Sequence, residues 1–253
     1  MAAVTLADVT LGYNGHPAVH HLDGAFASGS LTAVIGPNGS GKSTLLKGIV
    51  GMLSPLGGRI LRDVPATDIA YLPQSAEIDR SFPASVADIV ALGLWRRRGA
   101  FAGISRADYA DIEAALAAVG LIGFENRPLD TLSGGQMQRA LFARVLLQDA
   151  RLILLDEPFT AIDERTAVDL VHLVERWHGE GRTLIAVLHD AELVERVFPQ
   201  TLLLAREPVA WGDTASVMCA ENLARARHMI EAWDEHAPWH DEHGHDHNHG
   251  SAR

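Results

Sequence analysis

The chain has 253 residues, 47% of them hydrophobic, and a formal net charge of -11. Its length suits one sizeable α/β domain with a subdomain, or two small ones, and its apolar content is enough for a real core. An acidic balance without a basic face argues against nucleic acid as the main partner. The single cysteine, Cys219, excludes an intrachain disulfide and a Cys-rich zinc site. No stretch approaches the roughly 18–20 uninterrupted apolar residues of a membrane span, and Met1–Asp8 carries no signal-peptide pattern. The chain is therefore expected to stay in the cytoplasm, with any membrane role supplied by a partner.

Alternation of apolar and polar residues predicts a strand from Val4 to Tyr13, at a sheet edge. Leu31–Ile35 reads as a buried strand, followed by a helix over Lys42–Met52 that the Ser54-Pro55-Leu56-Gly57-Gly58 stretch ends. Arg59–Arg62 and Ile69–Leu72 read as short strands. Between about residues 75 and 150 strand signals vanish. Ser85–Leu94, Arg106–Val119 and Gln136–Gln148 have helical periodicity, which predicts a helical insertion. Strands return at Leu152–Leu155, Thr183–Leu188 and Thr201–Ala205, with a helix over Glu164–His178 among those between them. That alternation argues for a mostly parallel, covered sheet.

Within this frame, Gly36-Pro37-Asn38-Gly39-Ser40-Gly41-Lys42-Ser43-Thr44 satisfies the P-loop pattern, G-x-x-x-x-G-K-[ST], in the strand–loop–helix setting that the motif requires. Its glycines let backbone N–H groups close around the β- and γ-phosphates. Lys42 adds positive charge, the Ser43 hydroxyl reaches Mg²⁺, and the new helix points its positive end at the anion. Further on, the apolar run Leu152–Leu155 ends in two acids, Asp156 and Glu157. Adjacent side chains on a strand face opposite ways, so one acid can hold Mg²⁺ while the other polarises the attacking water. Leu132-Ser133-Gly134-Gly135-Gln136 opens a helix with Ser133 as N-cap and two glycines that bare backbone amides, a second anion site.

Together these motifs resemble the nucleotide-binding subunit of ATP-binding cassette (ABC) transporters over roughly residues 4–230. The resemblance implies an α/β fold: a P-loop NTPase core with a mostly parallel sheet, an antiparallel β edge and an inserted α-helical subdomain. Residues 1–232 would form the ATPase domain, with the helical subdomain at about 75–150, and 233–253 a tail. Gly36–Thr44 is similar to Walker A, Leu132–Gln136 to the family signature and Leu152–Glu157 to Walker B, with Glu157 at the catalytic-base position. Gln74 takes the place of the Q-loop glutamine that senses Mg²⁺ and faces the permease, Asp163 of Ala161-Ile162-Asp163 that of the D-loop acid, and His189 that of the switch histidine. Tyr13 fits the aromatic that stacks on adenine. Taken alone, Tyr13 also reads as an ordinary strand aromatic, His189 as a core histidine and Gln74 as a polar loop residue. The resemblance further implies ATP and Mg²⁺ as cofactors, with Ser43, Gln74 and Asp156 around the metal. It also implies a head-to-tail homodimer in the ATP-bound state, in which Ser133, Gly134 and Gly135 bind the other subunit's γ-phosphate. The expected partners are an integral membrane permease and an extracytoplasmic solute-binding protein, placing the chain peripherally on the cytoplasmic face of the cell membrane. Nucleic acid is not expected.

From His236 onward the composition changes. His240, His243, His245, His247 and His249 are mixed with Asp, Glu, Asn and Gly, the last four of these histidines at alternate positions, in a stretch too poor in apolar residues to pack and expected to be disordered without a ligand. Imidazoles at alternate positions project from one side of an extended chain and suit Zn²⁺, Ni²⁺ or Cu²⁺. A solvated low-complexity tail or a purification remnant are the alternatives. With the cassette's likeness to the zinc and manganese uptake group, the tail points to import of a divalent transition metal, zinc first and manganese second. An iron chelate, haem or organic solute as cargo, or a cassette ATPase outside transport, are the competing readings. Arg96-Arg97-Arg98 after Trp95 reads as a contact for the partner or lipid headgroups, or as a solvated basic patch. Cys219 stands before Glu221-Asn222-Leu223, where relatives often have a Thr or Ser helix cap; no role is expected of it.

Overall fold

The computed structural model describes residues 1–74, 78–99, 103–160 and 162–232. Six strands form the main sheet: β3 (Leu31–Ile35), β5 (Ile69–Leu72), β6 (Leu152–Asp156), β7 (Thr183–Val187), β8 (Gln200–Ala205) and β9 (Glu207–Asp213). Their order is β5-β6-β7-β3-β8-β9, parallel throughout except for β9, which runs antiparallel to β8 at one edge. β3, β6 and β7 are buried at every position, as continuous apolar strands covered on both faces must be. A second, antiparallel sheet of three strands has the order β2-β1-β4, with β1 at Ala2–Tyr13, β2 at His16–Ala27 and β4 at Gly57–Arg62.

This arrangement corrects the expected place of the first strand. β1 is the central strand of its sheet, paired on both sides, and not an edge. Alternation reports only that one face is covered, which edge and central strands of an antiparallel sheet share. β2 carries a weaker signal, since Pro17, His20, His21 and Gly24 interrupt its apolar residues.

The helix α1 (Lys42–Val50) lies between the two sheets. Its Leu45, Leu46 and Ile49 join Leu6, Val9 and Leu11 of β1 and Val34, Leu154 and Ile185 of the main sheet in one core. The helix ends two residues before the expected Met52, because Gly51 adopts a left-handed conformation (φ 91°) and closes the last turn on the Lys47 and Gly48 carbonyls. The opposite face of the main sheet carries the larger core. There the helices between residues 86 and 148 pack: α2 (Val86–Ala91), α3 (Trp95–Arg98), α4 (Arg106–Ala118) and α5 (Gly134–Gln148). Three of them begin with reciprocal capping boxes, Ser85 with Asp88, Ser105 with Asp108 and Ser133 with Gln136. α5 anchors this layer through Phe142, whose ring stacks at 6.0 Å on Trp177 of α6 (Glu164–Gly179). The last helices among the described residues are α7 (Ala191–Val197), α8 (Thr214–Val217) and α9 (Ala220–Ala232). The exposed Cys219 directly precedes α9.

Each of the three consecutive arginines is paired with an acid while its side chain stays partly exposed. Arg96 meets Asp68 at 2.7 Å, Arg97 meets Asp111 at 3.1 Å and Arg98 meets Asp108 at 2.7 Å. Asp68 is 1% exposed and also accepts from Arg151 Nε at 2.5 Å and Arg151 N at 3.1 Å, so one buried carboxylate joins the helical layer to the start of β6. Asp68→Ala is expected to destabilise the chain by about 2 kcal/mol, since charged hydrogen bonds around a buried group are lost. Arg97→Ala, which removes an exposed pair, is expected to cost less than about 0.5 kcal/mol. Urea unfolding of both variants checks the contrast.

Candidate nucleotide site

The loop between β3 and α1 is shaped by what surrounds it. At Gly36 (φ 151°) an added Cβ would fall 1.9 Å from the Leu204 carbonyl oxygen. At Gly41 (φ 91°) it would fall 2.5 Å from the Ala18 carbonyl oxygen and from a Val19 methyl. Only glycine allows the loop to fit between β8 and β2 at these points. The Arg206 amide, just past β8, donates to the Ser40 carbonyl at 3.0 Å and holds the loop from below. Above it opens a cleft of about 670 Å³, lined by Asn38, Gly39, Ser40, Gly41, Lys42, Ser43 and Thr44 with Ala18, Gln74, Glu157 and His189.

Lys42 is 6% exposed. Its Nζ donates to the Gly36 carbonyl at 3.0 Å and the Pro37 carbonyl at 2.9 Å. Burial pushes the Lys42 ammonium below its usual pKa, and the charges of Glu157 and Asp156 partly offset this. Asp156, the last residue of β6, is fully buried. Its Oδ1 accepts from Ser43 Oγ at 2.9 Å and its Oδ2 from Tyr71 OH at 3.2 Å. The next residue, Glu157, turns out of the strand with φ 48°, a conformation uncommon for a side-chain-bearing residue, while its amide donates to the Val187 carbonyl. Its two carboxylate oxygens are both engaged. His189 Nε2 lies 2.6 Å from Oε1, and Gln74 Nε2 donates to Oε2 at 2.7 Å. His189 stands just past β7 and Gln74 just past β5, so three neighbouring parallel strands deliver these side chains to the same edge.

This donor set suits a triphosphate with a hard divalent cation. It combines a glycine-lined loop at a helix start, one buried ammonium, and a hydroxyl and a carboxylate already in contact. Ser43 and Asp156, already hydrogen-bonded to each other, would hold such a cation, and Gln74 lines the same cleft as Ser43. Among the described residues, no group of three or more His, Cys, Asp or Glu is placed to hold a metal ion.

Other expected site residues lie elsewhere. Ser133 caps α5, accepting from the Gln136 amide at 3.2 Å while its own amide donates to Gln136 Oε1 at 3.0 Å. Ser133, Gly134, Gly135 and Gln136 do not line the cleft of their own chain. Asp163 caps α6 through the Thr166 amide and hydroxyl, bonds that hold its carboxyl below the usual pKa. It does not line the cleft either, although its neighbour Ile162 lies beside Gly135: a Cβ on that glycine would be 3.5 Å from the Ile162 methyl. Tyr13 is 47% exposed, at the end of β1 opposite His16, one hairpin away from the cleft-lining Ala18. Ala161 and the tail histidines His240, His243, His245, His247 and His249 lie outside the described residues.

Two residues beside the site escaped the sequence reading. Tyr71 lies in a strand whose sequence reads as apolar, though it carries that strand's single polar side-chain atom. Gln138, buried on α5, donates to the Pro158 carbonyl at 2.8 Å and ties the signature helix to the turn after Glu157. A polar side chain on the apolar face of a helix was the signal for it.

The fold and this cleft together define a P-loop nucleotide-binding ATPase domain. Residues 19–160 match the ABC transporter family, and the chain belongs to that family. It is 37% identical over 229 residues to the zinc transport system ATP-binding protein TroB of Treponema pallidum (strain Nichols), covering 88% of this chain and 86% of that one. It is 36% identical over 230 residues to the manganese transport system ATP-binding protein MntB of Bacillus subtilis (strain 168), covering 89% and 92%. Among solved structures, a proposed metal-chelate type ABC transporter in an inward-facing conformation superposes with a TM-score of 0.79 at 30% identity, over 90% of each chain. The ADP form of MJ1267, an ATP-binding cassette of an ABC transporter, shares the fold with a TM-score of 0.75 at 20% identity, over 90% of this chain and 98% of that one. The chain is thus an ATPase subunit of an ABC transporter, a class that uses ATP and Mg²⁺.

Gly41→Ala is expected to weaken ATP binding by roughly 10-fold or more, because the new methyl meets the Ala18 carbonyl while the backbone stays left-handed. Equilibrium titration with a fluorescent ATP analogue, alongside a melting curve, measures it.

Proposed function

We propose that this chain hydrolyses ATP to drive import of a divalent transition metal, zinc or manganese, through a separate membrane permease. The observation that carries the ATPase chemistry is Glu157, held by Gln74 and His189 at the mouth of the P-loop cleft next to the buried Asp156. A carboxylate so oriented is the general base that takes a proton from the water attacking the γ-phosphorus. His189 and Gln74 place it and follow its charge. Lys42 and the amides from Asn38 to Thr44 bind the phosphates, and Tyr13 stacks on the adenine. Ser43, Asp156 and Gln74 would hold Mg²⁺, which when bound neutralises charge on the triphosphate.

The signature lies outside its own chain's cleft, and this supports a composite site made by two copies. Ser133, Gly134, Gly135 and Gln136 of one subunit face the nucleotide of the other, with Asp163 at the seam, in a head-to-tail homodimer. Neither half alone neutralises the triphosphate, so ATP joins the subunits and its cleavage releases them. That cycle moves the permease from the cytoplasmic face of the membrane. Among the described residues no helix is long and apolar enough to cross a membrane, in keeping with a peripheral subunit. An extracytoplasmic solute-binding protein completes the system. Residues 1–232 constitute the ATPase domain, with its helical subdomain at about 75–150.

The cargo reading rests on the relatives, which carry the names of zinc and of manganese transport systems. The tail favours zinc: its alternating histidines suit a borderline-soft cation better than Mn²⁺, and 233–253 would buffer or report incoming metal.

Glu157→Gln should bind ATP normally, lose hydrolysis by roughly 10²–10⁴-fold and accumulate as an ATP-bound dimer in light scattering. Near-normal turnover would remove Glu157 as the base. Cells lacking the chain should lose zinc or manganese uptake and keep iron uptake. A chain ending at Ala232 should restore transport while binding less Zn²⁺ in calorimetry; equal Zn²⁺ binding by both forms would remove the tail from the argument.

A further inference from the structure

We propose that Tyr71 is a positioning residue for the divalent cation that accompanies the nucleotide, acting through the Asp156 carboxylate. The inference rests on the nucleotide reading above and adds a residue to it. Asp156 is fully buried and points, like Leu152 and Leu154 before it, to the face of the main sheet that meets α1. A buried carboxylate that can turn about its last bond presents its oxygens in more than one way. Here the two oxygens receive different donors. Ser43 Oγ donates to Oδ1 at 2.9 Å, and Tyr71 OH donates to Oδ2 at 3.2 Å. Ser43 lines the cleft, whereas Tyr71 is held within the sheet and does not line it.

Three features hold the phenol in place. Tyr71 pairs with Leu154 in the parallel β5–β6 ladder, two residues before the acid it reaches. Its half-buried ring packs against the core that contains Ile69, Leu152 and Leu154. Its carbonyl accepts a hydrogen bond from Arg144 Nη2 on the signature helix α5. The hydroxyl thus fixes the plane of the carboxylate and leaves Oδ1 directed at Ser43, where the cation is expected. Tyr71 also stands three residues before Gln74, so the strand that orients the metal-binding acid runs directly into the glutamine across the cleft.

Removal of a partner that orients a metal-binding group typically weakens the metal by about 10–100-fold. The test uses the full chain and its Tyr71→Phe variant, with a non-hydrolysable ATP analogue titrated once in EDTA and once in excess Mg²⁺. Tyr71→Phe should match the wild-type affinity in EDTA and lose roughly 10-fold of the affinity that Mg²⁺ adds. Unchanged affinity in both conditions overturns the proposal. So does equal weakening in both, which would assign the hydroxyl to the fold and not to the cation. Absence of analogue binding by the wild-type chain would instead refute the nucleotide reading, so the two failures are distinguishable.

Discussion

The nucleotide cleft is organised around the Asp156 carboxylate, a charge removed from water at the end of a strand that is buried along its length. Such a group is tolerated only when its oxygens are supplied with donors. The donors come from the helix that begins at the P-loop and from the neighbouring strand β5, so satisfying the charge also sets the distance between loop and sheet. The sandwich of α1 between the two sheets serves the same end, since it fixes where the first helical turn, and with it Lys42 and Ser43, meets the strand ends. Packing, hydrogen bonding and chemistry therefore act on the same few atoms.

Glu157 stands in contrast to its neighbour. It leaves the strand in a left-handed conformation, and its two oxygens are taken by His189 and Gln74 across 2.6 and 2.7 Å. Both partners sit on segments that follow strands of the sheet, where small displacements at the strand ends change their reach. An acid held in this way, with the Thr160 hydroxyl also donating to Oε2 at 3.4 Å, is oriented before any substrate arrives. Its side chain lines the cleft, away from the buried position that Asp156 occupies.

The helical layer is joined to this site by few but specific contacts. Gln138 reaches the Pro158 carbonyl, Arg144 the Tyr71 carbonyl and Arg80 the Leu132 carbonyl, while Arg96 and Arg151 converge on Asp68. These are polar bonds between elements far apart in the chain. They link the signature helix to the residues that flank Glu157 and Gln74.

The Walker A glycines, the paired acids and the Ser133 cap were legible from residue order, because each works through backbone geometry or spacing within one short segment. The apolar strands and the helical stretch between about 75 and 150 were legible for the same reason: burial on two faces, or on one, writes a local pattern. What the tertiary structure alone decided are the partners across distance. β1 became a central strand because β4 arrives on its other side, which no pattern within Ala2–Tyr13 can state. Nothing around Arg96, Arg97 and Arg98 in the sequence names Asp68, Asp111 and Asp108, the acids that the fold brings to them. Tyr71 passed for core until the register of β5 against β6 set its hydroxyl beside Asp156. Local sequence determines conformation over a few residues at a time. Which donor meets which buried charge depends on how whole strands and helices are stacked, and only the folded chain contains that information.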